Sequence, residues 1–350
     1  MYPADRALDR AFGPLGSLRH LPLATLPTPV QELDITDAVP SFRGRTWVKR
    51  EDRSGADLGG NKVRKLEWLL GAARAGGKRT VVTSGGIGSN HALATTFYAA
   101  QSGLETDLVI FPHHVSRHSQ RTLRAICALG PRITFCPRDQ LVPVCMAAAA
   151  VRRRAAGASP ALVFPGGSQP TGTLGAVDLG LELAEQVRAR ELEAPDAVVV
   201  PYGSGGTAAG VCVGLQAGGI RCPVVAVRVY PLPLTSKAWL TVLARGALRL
   251  LRSGMRPDLS MIQVTGRYLG PGYAEPTEEA GAAREIASGL DLDLEGTYSA
   301  KAFAAFLDMA ASPRWRRSNL LFVLTYDGRI PAGLEDSPDE VVPPRLRRYL

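Results

Sequence analysis

Val198-Val199-Val200-Pro201-Tyr202-Gly203-Ser204-Gly205-Gly206-Thr207-Ala208-Ala209-Gly210 passes from a β-rich apolar run, through a glycine-serine loop, into a helix of small residues. The same order, strand then glycine turn then helix start, appears at Thr80-Val81-Val82-Thr83-Ser84-Gly85-Gly86-Ile87-Gly88-Ser89-Asn90-His91. Apolar strand-like runs alternate with helical patterns over most of the chain, which predicts an α/β fold with parallel strands. Strands are expected at 46–49, 80–84, 107–111, 132–136, 161–164, 197–201, 224–229 and 320–325. Helices are expected at 62–75, 90–102, 117–129, 140–156, 172–190, 207–217, 236–252, 276–288 and 299–311. Pro165-Gly166-Gly167-Ser168-Gln169-Pro170 interrupts the rhythm and reads as a crossing between domains. Pro338 to Leu350 reads as a surface tail.

The chain has 350 residues, 45% of them hydrophobic and 21% charged, an ordinary globular balance with enough length for one large or two medium domains. Its five cysteines, at 127, 136, 145, 212 and 222, include no Cys-x-x-Cys pair and predict reduced, mostly buried thiols in a cytoplasmic protein. Charged residues Asp5, Arg6, Asp9 and Arg10 precede any apolar stretch, so neither a signal peptide nor a membrane span is expected. A net charge of +9 raises the question of nucleic acid, but the arginines are scattered and no basic stripe is interleaved with aromatics. No nucleic-acid partner is expected. His91, His113, His114 and His118 offer imidazoles; the last three lack carboxylates at ligand spacing and read as solvated, so no metal is expected.

Only six of the 41 basic residues are lysines: 49, 62, 65, 78, 237 and 301. Chemistry that needs a deprotonatable amine therefore has few candidates, because arginine keeps its charge. Lys62 follows Gly59-Gly60-Asn61. Asn61 is a suitable N-cap, and an amine at a helix N-terminus has its pKa lowered by the local positive potential. That suits an imine-forming lysine. Lys65, one turn on beside Arg64 and Glu67, reads as a surface ion-pair member. Alone, the segment reads first as a capped amphipathic helix with a solvated lysine. The turn at 85–91 presents backbone N–H groups, the Ser89 hydroxyl and the Asn90 amide, a seat for a carboxylate or simply a tight βα turn. The loop at 203–207 suits a monophosphate, lacking both the Walker lysine and the full dinucleotide fingerprint; an ordinary glycine turn stays open. Together, the lysine, phosphate cup and carboxylate seat point to pyridoxal 5'-phosphate acting on a small amino acid.

Lys49-Arg50-Glu51-Asp52 followed by Gly59-Gly60-Asn61-Lys62-Val63-Arg64-Lys65-Leu66-Glu67 resembles the signature of the D-cysteine desulfhydrase and 1-aminocyclopropane-1-carboxylate deaminase family. Residues 85–91, 166–172, 203–207 and 270–273 resemble further motifs of that family in the same order. The similarity runs from about residue 20 to 330. It implies two open twisted, mostly parallel sheets flanked by helices, the tryptophan synthase β-like fold type II. The expected division is a large cofactor-binding domain of residues 1–58 and 173–350 and a smaller mobile domain of 59–172. A homodimer is also implied.

By resemblance, Lys62 forms the imine, Asn90 contacts the ring hydroxyl, and Gly203, Ser204, Gly205, Gly206 and Thr207 hold the phosphate. Ser89 is expected beside the substrate carboxylate and α-carbon, with Tyr298 and Tyr273 as active-site tyrosines. Where the deaminase branch has glutamate after the matching tyrosine, this chain has Ser299; Thr325 matches the desulfhydrase threonine that partners the pyridine nitrogen. A neutral partner leaves a weaker electron sink, which favours β-elimination to a keto acid and ammonia over ring opening. β-Replacement, another specialised amino-acid synthesis, and a non-catalytic binding subunit are the alternatives. Two departures fall in the expected substrate pocket: Gly88 for the family's glutamine, and Tyr326-Asp327 for its two glycines. Gly88 offers room for a second nucleophile. The stretch from Tyr230 to Arg267 is longer and richer in arginine than the family pattern.

Overall fold

Each predicted strand–turn–helix unit places its turn at the carboxyl end of a strand, and two parallel sheets result. The computed structural model describes residues 6–13, 15, 18–232, 235–334 and 336–350. In chain order the described strands are β1 (Val30–Leu33), β2 (Arg45–Lys49), β3 (Thr80–Gly86), β4 (Glu105–Phe111), β5 (Arg132–Phe135), β6 (Ala161–Leu162), β7 (Ala197–Tyr202), β8 (Val224–Arg228), β9 (Ile262–Thr265) and β10 (Asn319–Val323). The helices are α1 (Ala7–Phe12), α2 (Lys62–Ala75), α3 (Asn90–Gln101), α4 (Arg117–Ala128), α5 (Val142–Ala155), α6 (Pro170–Arg188), α7 (Gly206–Ala217), α8 (Lys237–Leu250), α9 (Glu278–Ser288) and α10 (Ser299–Ala311).

The larger sheet has the order β1-β2-β10-β7-β8-β9 and is parallel except for the β1–β2 pair. The smaller sheet, β5-β4-β3-β6, is parallel throughout. Helices cover both faces, so central strands have no polar side and read as continuous apolar runs. In β7, Val198 and Val200 pack with α6, α7 and α8, while Ala197 and Val199 pack with α9 and α10. In β3, Val81 joins α2, α3 and α4, and Val82 joins α5. The fold class is as predicted, and the chosen helix and strand segments all form.

Three elements escaped the sequence reading. α1 is only six residues long; β1 (Val30-Gln31-Glu32-Leu33) and β9 (Ile262-Gln263-Val264-Thr265) are sheet edges, where polar residues break the apolar run. Pro338 to Leu350 is no surface tail: Val342 and Leu346 are buried in the core of the smaller sheet, and the Gln120 amide donates to the Leu350 carbonyl.

α2 meets α6 across a buried ionic cluster. Arg64, fully enclosed, donates to Glu51 at 2.8 and 2.9 Å and to Glu182 at 2.8 and 3.0 Å. Lys49 also donates to Glu182, at 2.5 Å, and Arg6 reaches Glu67 and Asp178. Buried charges of this kind are tolerated when each is paired and hydrogen-bonded. They hold the helix that begins with Lys62 in one position.

All five cysteines are free and four are buried, Cys145 being partly exposed. Among the described residues no group of three or more His, Cys, Asp or Glu side chains is placed to hold a metal, and no helix is long and apolar enough to cross a membrane.

Candidate active site

The turns after β3, β7 and β10 converge with the start of α2, outside the carboxyl ends of the strands, where open α/β sheets bind ligands. Asn61 does not cap α2 as predicted. Its side chain instead donates through Nδ2 to Thr207 Oγ1 at 2.7 Å and accepts through Oδ1 from Lys62 Nζ, also at 2.7 Å. One amide thus links the lysine to the 203–207 loop. Lys62 keeps some surface open to the cleft, but Nζ stands amid protein and 6.0 Å from the centre of the Tyr298 ring. Desolvation, opposed by attraction from Glu295, pulls its pKa down to about 8. The cause is burial first, rather than the helix terminus invoked from the sequence.

The 203–207 loop is an open anion seat. Gly205 adopts φ 90°, and no side chain caps α7, so the first-turn amides of Thr207 and Ala208 have no partner among the described residues. The Gly206 N–H donates to Ser168 Oγ at 3.1 Å, and Ser168 and Ser204 share a hydroxyl hydrogen bond at 2.7 Å. Trp239 of α8 donates to the Ser204 carbonyl, so the unexpectedly long 230–267 stretch braces the cup.

Lys65 is the residue the sequence reading missed. It is 2% exposed, not a surface ion-pair member, and among the described residues Nζ donates only to the Gly166 carbonyl at 3.2 Å and Ser168 Oγ at 3.4 Å. A Cβ on Gly206 would lie 3.0 Å from that amine. Desolvation, then repulsion by Lys62, holds its pKa well below the usual lysine value. A buried amine with no carboxylate partner among the described residues, beside uncapped helix amides, has the donor set of a phosphate site. The signal was available in the sequence, since Lys62 and Lys65 are three residues apart and share a helix face.

Ser89 caps α3, accepting from the Ala92 N–H at 3.2 Å, and Asn90 follows it. A Cβ on Gly85 would lie 2.6 Å from the Ser89 hydroxyl, so the bare backbone lets that group approach. Tyr273 and Tyr298 meet through their hydroxyls at 2.8 Å. Burial pushes the Tyr273 phenol up to about 12 and Tyr298 well above its ordinary value. Tyr298 also lies against Gly203, where a Cβ would come within 2.7 Å of the ring. Tyr230, from the long stretch, packs on Tyr273 and donates to Asp139 at 2.5 Å.

Thr325 and Ser299 differ in what their hydroxyls do. Ser299 Oγ accepts from the Glu295 N–H at 2.9 Å and donates back to Glu295. The Thr325 hydroxyl makes no hydrogen bond among the described residues, while its carbonyl accepts from the Asn61 N–H at 3.1 Å. The residue is thereby fixed beside the start of α2.

The two departures are filled, not open. A Cβ on Gly88 would meet Ser119 Cβ at 2.4 Å and Cα at 2.6 Å, and the Gly88 N–H already donates to His113 Nε2 at 3.1 Å. Gly88 therefore makes no room for a second nucleophile. His113 and His118 are largely enclosed beside the site, contrary to the solvated reading, and burial lowers both pKa values; only His114 is exposed. His91 is buried and bonded to Thr83 at 3.1 Å, with its pKa pushed down to about 3.

Two sheets joined at a cleft, an amine of lowered pKa and an anion cup define an α/β enzyme that binds a phosphorylated carbonyl cofactor through lysine. The chain belongs to the pyridoxal-phosphate dependent enzyme family, whose model matches residues 21–325. It is 34% identical to the nocardicin C-9' epimerase of Nocardia uniformis subsp. tsuyamanensis, over 83% of this chain and 88% of that one. It is 32% identical to a D-cysteine desulfhydrase of Serratia proteamaculans, over 91% and 96% of the two chains. Among solved structures, a homologue of 1-aminocyclopropane-1-carboxylate (ACC) deaminase matches with a TM-score of 0.77 at 28% identity, covering 95% of this chain and 96% of that chain. Pyridoxal 5'-phosphate is the cofactor, and the cleft fits it: Lys62 for the carbonyl, and the 203–207 amides with Lys65 for the phosphate.

Proposed function

We propose that the protein catalyses β-elimination on a small, D-cysteine-like amino acid, expelling the β-substituent and, as the enamine product takes up water, releasing a keto acid and ammonia. The observation that carries this reading is the placement of the Lys62 amine, with a pKa of about 8, near a pair of protonated tyrosines across the cleft. When bound, pyridoxal phosphate supplies an electron-withdrawing ring that takes up the electron pair left at the α-carbon. Lys62 Nζ removes the α-proton, its depressed pKa keeping a neutral fraction near pH 7. Ser89 and the first-turn amides of α3, Asn90 and His91, which have no partner among the described residues, hold the substrate carboxylate and fix the α-carbon before Lys62. Tyr298, hydrogen-bonded to Tyr273, donates a proton to the departing β-substituent. The unengaged Thr325 hydroxyl would be the partner of the pyridine nitrogen, since Ser299 is tied to Glu295. The relatives named D-cysteine desulfhydrase support a thiol leaving group.

Epimerisation at the α-carbon is the second reading, favoured by the 34% identical epimerase. β-Replacement is disfavoured because Ser119 and His113 occupy the space beside Gly88. A cytoplasmic homodimer completes the proposal on family resemblance, and sedimentation of the holoenzyme tests the dimer.

The deciding experiment offers the holoenzyme D- and L-cysteine, β-chloroalanine, cysteate, serine and ACC. Keto acid is measured together with the chirality and deuterium content of recovered substrate. Keto acid from a substrate with a β-leaving group supports elimination. Inverted, deuterated substrate without keto acid assigns epimerisation instead, and inertness toward all six overturns the proposal.

A further inference from the structure

His113, Ser119 and His118 belong to one segment, and it is this segment that fills both departures. His118, on the first turn of α4, stands between Tyr326 and Asn90. Its Nε2 lies 3.1 Å from Asn90 Oδ1, its Nδ1 lies 3.3 Å from the Tyr326 hydroxyl, and the two rings pack edge to face at 5.6 Å. Thr122, one turn on, approaches Nε2 at 3.4 Å.

The tautomer follows from the partners. Burial keeps the imidazole neutral and the phenol protonated; the charged groups around His118 are Glu295, Arg121 and Asp293. The Asn90 oxygen at Nε2 can only accept, so the ring's one N–H lies on Nε2, and the bare Nδ1 accepts from the Tyr326 hydroxyl. The Nε2–H···Oδ1 bond in turn holds the Asn90 amide with its oxygen toward His118. Asn90 Nδ2 has no partner among the described residues and is left as a donor.

We propose that Tyr326 and His118 are positioning residues that lock the Asn90 amide so that its Nδ2 donates to the cofactor's ring oxygen. The proposal rests on the reading that Asn90 meets that oxygen. Tyr326, which departs from the family's glycine, thus acts through His118 on the electronics of the cofactor and does not simply narrow the substrate pocket.

The test is a pH titration of the visible absorption of the loaded enzyme. The ring oxygen carries more negative charge once the proton it shares with the lysine nitrogen has left. A donor at that oxygen favours the deprotonated form and lowers the midpoint. Asn90→Ala should raise the midpoint by about one pH unit, the size expected for losing one hydrogen bond to a charged group. His118→Phe should raise it nearly as much, Tyr326→Phe less, and Asn90→Ala/His118→Phe no more than Asn90→Ala alone, since the residues act in series. His118→Gln, which retains a donor, should restore part of the shift. A wild-type midpoint in both His118→Phe and Tyr326→Phe, with Asn90→Ala shifted, overturns the proposal and leaves the Asn90 contact standing. An unshifted Asn90→Ala overturns the contact and the proposal together. Tyr326→Phe keeps the ring packing, so the test survives if His118→Phe does not fold.

Discussion

Replacing Lys65 with methionine separates the two ends of the cofactor. Lys65 Nζ is buried, donates among the described residues only to Gly166 O and Ser168 Oγ, and faces Gly206 at the start of α7. In the apoprotein its charge is opposed by burial and by Lys62. A phosphate in the cup would supply the missing counter-charge, and a charge-assisted hydrogen bond of this kind contributes about 1.5–3 kcal/mol. Affinity for pyridoxal phosphate should therefore fall about 10- to 150-fold. The apoprotein should keep or raise its melting temperature, because methionine occupies similar volume without a buried charge.

The assay is equilibrium titration of the apoprotein with pyridoxal phosphate and, in parallel, with pyridoxal, which lacks the phosphate. Lys65→Met should weaken the first and leave the second within about twofold, as the lost contact belongs to the phosphate alone. Equal losses for both ligands would mean that Lys65 supports the fold of the cleft. No loss for either would remove it from the cup altogether.

Arg64→Met leaves Glu51 and Glu182 buried without their shared guanidinium, at a cost of about 3–5 kcal/mol. With an unfolding entropy of roughly 2 cal/mol/K per residue over this length, melting should fall by about 4–7 °C, read by calorimetry. Glu182 is held at about 2 by Arg64 and Lys49 against its desolvation, so its stabilisation is complete above its unfolded pKa near 4.5 and is lost as pH falls toward 2. The gap between wild type and Arg64→Met should accordingly narrow below pH 4.5. Installing the family's glutamine at Gly88 should destabilise the protein by about 1–3 kcal/mol, since the new Cβ meets Ser119 backbone at 2.6 Å; Ser119→Gly should relieve only part of the loss in a melting assay. Tyr298→Phe should lower elimination by about 10²- to 10⁴-fold while the α-proton still exchanges with solvent, seen as deuterium entering recovered substrate by NMR. Cofactor uptake by the apoprotein should quicken about tenfold between pH 6 and 7 and level off above about 8, following the neutral fraction of Lys62 in stopped-flow absorbance.

The strands that position this site were legible because they are buried on both faces. Val198-Val199-Val200 and Val81-Val82 leave no polar register to obscure them, whereas the edge strands β1 and β9 do not stand out as apolar runs. The glycine turns were legible too, since a strand, a bare backbone and a helix start occur in sequence order. What sequence order cannot express is which polar side chains become buried together. Lys65 resembles a surface residue until α2 is laid against Ser168 and Gly206, and Arg64 until Glu51 and Glu182, 131 positions apart, close around it. The histidines fail for the same reason: His118 acquires its setting from Asn90, 28 residues before it, and from Tyr326, 208 residues after it. Gly88 and Tyr326 drew notice as departures from a pattern, but their meaning lay in α4 and the loop before it. The space beside Gly88 is taken by Ser119 and His113, and the ring of Tyr326 rests on His118. One segment thus compensates for both changes. A reversion at either position alone should therefore be poorly tolerated, because each leaves a side chain of that segment crowded or unsupported.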